Sequence, residues 1–146
     1  MIHRSSSVGR WLVAVLVLSG AGCSQKVTLN SVTGKVLYQG EPLAGALVSF
    51  HPEGSTSANI TPPTGYTKPD GTFSVLTGET EGASAGKYAV TVICSVPVKT
   101  KVEGLSFGGE GETEDSLKGA YANRNASQIK VTIKDGPNQL EPFDLK

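Results

Sequence analysis

The stretch that decides the fold is Val32-Thr-Gly-Lys-Val-Leu-Tyr-Gln-Gly-Glu-Pro-Leu-Ala-Gly-Ala-Leu-Val-Ser-Phe50. Alternate positions of its first half share one face as far as the turn-forming cluster Gly40-Glu41-Pro42, and its second half alternates in the same way up to Phe50. A period of two indicates a β-strand. The stretch therefore predicts two consecutive strands, and the second ends at Pro52 because proline cannot donate to a sheet ladder.

Further runs of this kind follow the opening stretch, at 64–67, 72–77, 87–96, 128–134 and 139–146. The turn sequence Pro69-Asp70-Gly71 predicts a hairpin between the first two of these runs, because proline pre-sets φ and glycine tolerates positive φ. Gly, Pro and Asp separate the runs, and none of the intervening segments has a convincing helical period. The pattern predicts an all-β fold, a seven-stranded antiparallel β-sandwich of two packed sheets.

Two long connections, 53–66 and 97–120, are the places where a sandwich of this kind would carry function. The second contains a cluster of four acidic residues, Glu110, Glu112, Glu114 and Asp115. This cluster lacks the D-x-D-x-D-G spacing of a calcium loop, so a solvated acidic loop is favoured over a metal site. Together with Tyr66, the four acidic residues form the possible ligand surface that the sequence offers.

The N-terminal residues have the order of a secretory signal peptide. A basic start precedes a short apolar run at 11–21, which ends in the small residues Gly20-Ala21-Gly22. The run is too short to span a bilayer, and small residues are required at a processing site. We therefore predict that residues 1–22 are removed on export.

A cysteine directly after such a site, Cys23, resembles the lipobox of bacterial lipoproteins, in which the thiol receives a diacylglyceryl group and becomes the first residue of the mature chain. Gly20 stands where that family usually has Leu. The resemblance implies lipidation of Cys23 with chains such as palmitate, and each buried CH₂ would add about 0.8 kcal/mol of membrane affinity. Ser24 resembles the signal for outer-membrane sorting in some Gram-negative bacteria. The expected location is the cell envelope, at the outer membrane or the periplasmic face.

The opening stretch also resembles carboxypeptidase regulatory-like domains, which have a transthyretin-like (prealbumin, Ig-like) sandwich. The family pattern V-x-G-x-V followed by G-x-P-L-x-G-A-x-V-x-F is present, as are T-x-x-D-G-x-F at 67–73 and G-x-Y-x-V-x-V at 86–92. Small lipoproteins abundant in planctomycetes are similar over the rest of the chain, where Tyr121, Ser127, Gly136-Pro-Asn138 and Phe143-Asp-Leu145 follow the same order. The resemblance implies a fold and carries no chemistry, since each motif is a turn or a core position.

Charge and composition after cleavage exclude several classes of function. Loss of Arg4 and Arg10 from the 13 basic residues leaves 11 against 13 acidic ones, a formal charge of −2 for residues 23–146. The remaining Lys and Arg residues are dispersed, which argues against a nucleic-acid partner. We predict a short tether at 23–29 and one sandwich domain at 30–146.

Few residues of the mature chain are suited to catalysis. His51 is its only histidine, and no motif supplies a nucleophile beside it. Hydroxyisourate hydrolases and intradiol dioxygenases, whose sandwiches are of this kind, need more histidines than that. Cys94 lies on an alternating strand and is predicted to be a buried, inert thiol. We predict no enzyme, no cofactor and no metal.

The sequence as a whole predicts a lipid-anchored, non-catalytic module of the cell envelope, structural or binding an envelope protein or a glycan. The alternative is an accessory domain that binds a carbohydrate, a peptide or Ca²⁺ through the 53–66 and 97–120 loops.

Overall fold

The computed structural model describes residues 27–54, 61–97 and 113–146. Within these ranges the chain forms β-strands and one short 3-10 helix, Arg124–Ala126. The strands are β1 Val32–Tyr38, β2 Glu41–Pro42, β3 Leu47–Pro52, β4 Thr64–Tyr66, β5 Thr72–Ser74, β6 Leu76–Thr77, β7 Thr80–Glu81, β8 Gly86–Ile93, β9 Ser95–Pro97, β10 Thr113–Asp115, β11 Ile129–Ile133, β12 Asn138–Gln139 and β13 Phe143–Leu145. Among these residues, no helix has the length and apolarity needed to cross a membrane.

The first sheet is organised around β1. This strand pairs antiparallel with β2 and β5 and in parallel with β12 and β13. The parallel pairing follows from the turn after β11, where the Asn138 side chain accepts from Lys134 N–H at 2.9 Å and donates to the Lys134 carbonyl at 2.8 Å. Gly136 N–H also donates to Asn30 Oδ1 at 2.7 Å, which holds this turn against the start of β1. The chain therefore passes into the first sheet beside β1.

The second sheet has the strand order β11-β8-β3-β4-β6-β7 and is antiparallel throughout. Its longest strand, β8, pairs with β3 over six residues and with β11 over five. A separate ribbon of β9 and β10 continues from the end of β8. The outer face of this sheet carries the candidate site described below.

Phe73 fills the centre of the sandwich. Its ring centroid lies 6.2 Å from that of Phe50 and 5.9 Å from that of Phe143. It fits there because two glycines leave room: a Cβ at Gly34 would lie 2.6 Å from Phe73 Cζ, and one at Gly65 would lie 3.3 Å from Phe73 Cδ2. The buried core around it consists of Val32, Val36, Ala46, Val48, Phe50, Val75, Ala83, Tyr88, Val90, Val92, Cys94, Leu117, Ile133, Phe143 and Leu145.

The structure confirms the predicted all-β sandwich of packed, mainly antiparallel sheets. All seven predicted runs contain strands, and the predicted Lys68–Thr72 turn is closed by Lys68 N–H to the Thr72 carbonyl at 2.8 Å. Two details differ from expectation. The last strand segments lie parallel to β1, and the strand after the turn, β5, pairs with β1 in the opposite sheet. Only at Thr64 and Leu76 do the two arms of the predicted hairpin pair. The reason is the burial of Phe73: its ring packs against Gly34 of β1, so β5 pairs with β1 and not with β4.

Candidate functional site

An open cleft lies on the outer face of the second sheet, where β3, β8 and β11 run side by side. His51, Ala89 and Lys130 are cross-strand neighbours in these strands, and the small Ala89 side chain leaves a depression between the two longer ones. The cleft has a volume of about 520 Å³. Ligand sites for small molecules usually fall between about 300 and 1,000 Å³. Its walls are formed by His51, Pro52, Glu53, Gly54, Ala89, Arg124, Asn125 and Lys130.

Arg124 is placed at the cleft by a segment that is tied down on both sides. Asn123 begins the 3-10 helix, and its Oδ1 accepts the Asn125 N–H at 2.9 Å. After the helix, the Ser127 hydroxyl donates to the Val90 carbonyl, and before it the Tyr121 carbonyl accepts from Val92 N–H at 3.0 Å. The segment is thus fixed to β8 through two hydrogen bonds, so Arg124 is held beside the sheet.

The opposite wall contains the one ion pair seen among the described residues. Lys130 Nζ lies 2.7 Å from Glu53 Oε1, and both side chains remain partly exposed. The hydrogen bond from Lys130, together with its charge, lowers the pKa of Glu53. Lys130 is therefore already partnered, whereas no hydrogen bond or ion pair joins the Arg124 guanidinium to another described residue. The walls carry two positive charges and one negative charge.

Of the residues that line the cleft, His51 is the one that could act as a general base. Burial, and in second place the charge of Arg124, lower the pKa of His51, so the neutral ring is favoured. His51 Nε2 lies 3.0 Å from Thr91 Oγ1. The distance would suit a base and a nucleophile. Thr91, however, is only 4% exposed, so its hydroxyl cannot meet a substrate and serves to orient the imidazole.

Tyr66, one of the residues predicted to form a ligand surface, lies at the other end of the same face. It is 67% exposed and pairs with Leu47, which in turn pairs with Ile93. Leu47 and His51 are four residues apart on β3. Tyr66, which pairs with Leu47, therefore lies roughly 13 Å along the sheet from the cleft at His51. Tyr66 is therefore exposed as a ligand surface requires, but it does not line the cleft.

In the described part of the acidic segment, Asp115 accepts hydrogen bonds from the backbone. Asp115 Oδ1 accepts from Cys94 N–H at 3.0 Å and from Leu117 N–H at 3.1 Å, and Oδ2 accepts from Gly119 N–H at 2.8 Å. Burial alone would raise the pKa of Asp115, but the three backbone donors together lower it. This carboxylate thus holds the β9–β10 ribbon against the end of β8, while Glu114 next to it is exposed.

Of the other cysteines and acidic residues considered in the sequence analysis, the structure describes Cys94 only. Cys94 is buried and free, and its thiol donates to the Ala44 carbonyl at 3.6 Å, as expected of an inert core cysteine. Cys23, Glu110 and Glu112 lie outside the described residues. Among the residues that are described, no three His, Cys, Asp or Glu side chains are grouped so that they could hold a metal ion.

Comparison with known proteins gives only distant structural likenesses. No family model and no curated protein matches the sequence. DUF3823 family proteins of Bacteroides ovatus and Parabacteroides merdae are each 17% identical to it, with TM-scores of 0.45 and 0.42 over 79% and 82% of this chain. A 9R-lipoxygenase from Cyanothece is 12% identical, with a TM-score of 0.40 over 80% of this chain. The chain spans 44%, 47% and 16% of the length of these three proteins, respectively.

His51 was named from the sequence only as the single histidine of the mature chain, and the cleft was not predicted. Arg124 and Lys130 carry no motif and were not among the predicted site residues. A usable signal was present in Asn123-Arg-Asn125, because an Asx-capped turn would fix the backbone of the arginine. What the sequence could not supply was the strand order that puts this turn beside His51.

Proposed function

We propose that this chain is an exported, lipid-anchored β-sandwich module of the cell envelope, and that it binds a partner rather than catalysing a reaction. The observation that carries the proposal is Cys23, which directly follows a basic start, a short apolar run and three small residues. This order is suited to cleavage before Cys23 and lipidation of its thiol. Acyl chains such as palmitate on one residue would hold the domain at a membrane.

We propose a division into a signal at 1–22, a tether at 23–29 and a domain at 30–146, and the position of the first sheet contact supports the start of the domain. Asn30 bridges to Ala83 and is buried, whereas Val27 and Thr28 are exposed. A tether of this length would leave the sandwich close to the membrane surface. The outer membrane and the periplasmic face are the proposed locations, and the proposed partners are the membrane itself and an envelope protein or glycan.

The type of sandwich that we propose is that of carboxypeptidase regulatory-like domains. The residues that carry this resemblance have the structural roles that it implies. Val36, Val48, Phe50, Phe73 and Tyr88 are buried. The later motif residues are structural too: the Tyr121 hydroxyl accepts from Lys146 N–H at 2.9 Å and donates to the Lys146 carbonyl at 3.1 Å. These motifs therefore support a shared fold and offer no catalytic group.

A non-catalytic role is supported by the way His51 is held. Its Nε2 is bonded to a buried threonine, and the side chain opposite it in the cleft is a cation, Arg124. Such a pair suits the recognition of an anion better than the activation of a nucleophile.

The anchor can be tested on the full-length chain, produced in a Gram-negative host that lipidates its own lipoproteins and fed an alkyne analogue of palmitate. Wild type should incorporate the label and lose residues 1–22, and Cys23→Ser should do neither. Cys94→Ser is the matched control, since Cys94 is buried and should leave the labelling unchanged. Recovery of the wild-type protein unlabelled in the soluble fraction, with residues 1–22 intact by mass spectrometry, would contradict the proposal.

A second candidate function is an accessory domain that binds a carbohydrate, a peptide or Ca²⁺ through the 53–66 and 97–120 loops. The exposure of Tyr66 at the end of the first loop favours it, because an exposed aromatic ring is a stacking surface for sugars. A calcium titration and a glycan array, each followed by thermal unfolding, test it. Tyr66→Ala should remove any glycan response, and a complete lack of response to both would remove the support for this candidate.

A further inference from the structure

We propose that the cleft between His51 and Lys130 is a binding site for a small monocarboxylate that also carries hydroxyl groups, such as a sugar acid, and that Arg124 holds its carboxylate. The site shares Glu53 and Gly54 with the start of the 53–66 loop, and it is separate from the 97–120 loop and from the anchor at Cys23. The inference would give the anchored sandwich a ligand, and it stands independently of lipidation.

The first argument is the state of Arg124. A guanidinium presents donors in a planar fork that matches a carboxylate, and such bidentate pairs are among the strong charge-assisted hydrogen bonds. Among the described residues Arg124 has no such partner, although the segment that carries it is fixed by Asn123, Ser127 and the Tyr121 carbonyl. Because its backbone is already held beside the cleft, only the side chain of Arg124 has to be ordered when it binds an anion.

The second argument is the charge of the cleft. Lys130 and Glu53 neutralise one another at 2.7 Å, which leaves Arg124 as the surplus charge. His51 adds none while its ring is neutral. One surplus positive charge matches a monoanion, and the Glu53 carboxylate would repel a ligand that carries two negative charges.

The third argument is the chemistry of the remaining walls. The Asn125 amide and the His51 ring are neutral groups that can donate or accept a hydrogen bond, which suits hydroxyl groups. Ala89 gives a small apolar floor between β3 and β11. A space of about 520 Å³ is large enough for a ligand of monosaccharide or disaccharide size. These features favour a hydroxyl-rich acid over the C-terminal carboxylate of a peptide, for which apolar side-chain pockets would be expected.

The test is a titration of the full-length protein in detergent with glucuronate, followed by calorimetry and by the NMR signals of the His51 ring. Glucose is the neutral analogue, inorganic phosphate the dianion and an N-acetylated dipeptide the competing carboxylate. Glucuronate should bind and shift the His51 signals, and the other three should bind more weakly. Equal binding of glucose, or tighter binding of phosphate or of the dipeptide, would overturn the assignment to a sugar acid.

Three variants assign the interaction to the cleft. Arg124→Gln should weaken glucuronate binding about tenfold or more, as expected for loss of a charge-assisted pair. Glu53→Gln should tighten it roughly two- to fivefold, since it removes the competing carboxylate and frees Lys130. Lys68→Gln removes an exposed cation beside a smaller depression on the first sheet and should change nothing. Unchanged affinity in both Arg124→Gln and Glu53→Gln would overturn the proposal. Because Glu53→Gln is expected to improve binding, loss of folding cannot imitate its result, and neither outcome depends on Cys23.

Discussion

At the centre of the sandwich, the Phe73 ring lies so close to Gly34 that a single added carbon would be 2.6 Å from it. On the outer face of the second sheet, by contrast, Arg124 stands beside an open cleft of about 520 Å³. Phe73 is enclosed by residues of several strands, whereas the segment that carries Arg124 is fixed to β8. Gly34 and Phe73 are in tight contact, and no buried polar side-chain atom of the described residues lacks a hydrogen-bond partner. The second region is open and contains Arg124, a cation that has no partner among the described residues. The first region stabilises the fold, and the second is the one for which we propose a ligand.

The largest effect on stability is expected from Phe73→Ala, which leaves a cavity between the two sheets. Loss of a buried aromatic side chain costs about 3–5 kcal/mol in the free energy of unfolding. Denaturant unfolding measures this change, and Tyr66→Ala is the matched control because Tyr66 is exposed. The control should lie within about 0.5 kcal/mol of wild type. If the two variants were equally stable, Phe73 would not be the centre of the core.

Gly34→Ala tests the close approach between Gly34 and the Phe73 ring by adding a carbon atom to the glycine. The added methyl group must displace the ring or the strand, and overpacking of this kind costs about 1–3 kcal/mol. Because Phe73→Ala removes the atoms that clash, the double variant should be more stable than the sum of the two single changes predicts. Strict additivity would show that the two residues do not press on one another.

Asp115→Ala should have an effect of intermediate size, because this carboxylate is fully engaged although it lies near the surface. Hydrogen bonds to a charged group contribute about 1.5–3 kcal/mol, and we expect a loss in this range. The adjacent Glu114→Ala should be close to neutral. An equal loss in both variants would mean that acidic charge in this segment, and not the contacts of Asp115, is what stabilises the fold.

The same contacts give a pH dependence with a defined sign. The pKa of Asp115 is lowered in the folded protein, so the unfolded chain binds more protons at acid pH. The stabilisation is therefore present above the ordinary pKa of an aspartate and is lost as the pH falls below it. Asp115→Asn should reduce this part of the acid destabilisation, as measured by unfolding between neutral and acid pH.

The smallest effect on stability is expected in the cleft, from Arg124→Gln. Burial and Arg124 lower the pKa of His51, so the folded state resists protonation and stability falls as the pH drops below about 6.5. Removing Arg124 should raise the pKa of His51 and lessen that fall, with little change at pH 8. The charged groups at this cleft are Arg124, Lys130 and Glu53, so Lys130→Gln and Glu53→Gln serve as comparisons. An unchanged NMR titration of His51 in Arg124→Gln would show that the guanidinium does not act on the ring.

The core and the cleft differ in how much of their structure could be predicted from the sequence. The strand containing Val48 and Phe50 and the burial of Cys94 follow from local alternation, so they were predicted correctly. The partner of β5 was not, because a turn sequence fixes where the chain reverses but not which strand the next residues join. Arg124 was not linked to His51 for the same reason: residues 73 positions apart in the sequence meet only through the strand order.

The sequence by itself determined the all-β class, the turn at Pro69-Asp70-Gly71 and the strand β8. These features depend on φ preferences and on a side-chain period of two, and both are properties of neighbouring residues. Only the tertiary structure decided that β1 lies parallel to β13, that Phe73 lies over Gly34, and that Arg124 faces the cleft beside His51. These depend on contacts between residues far apart in the chain, which form only when the two sheets close around a common core.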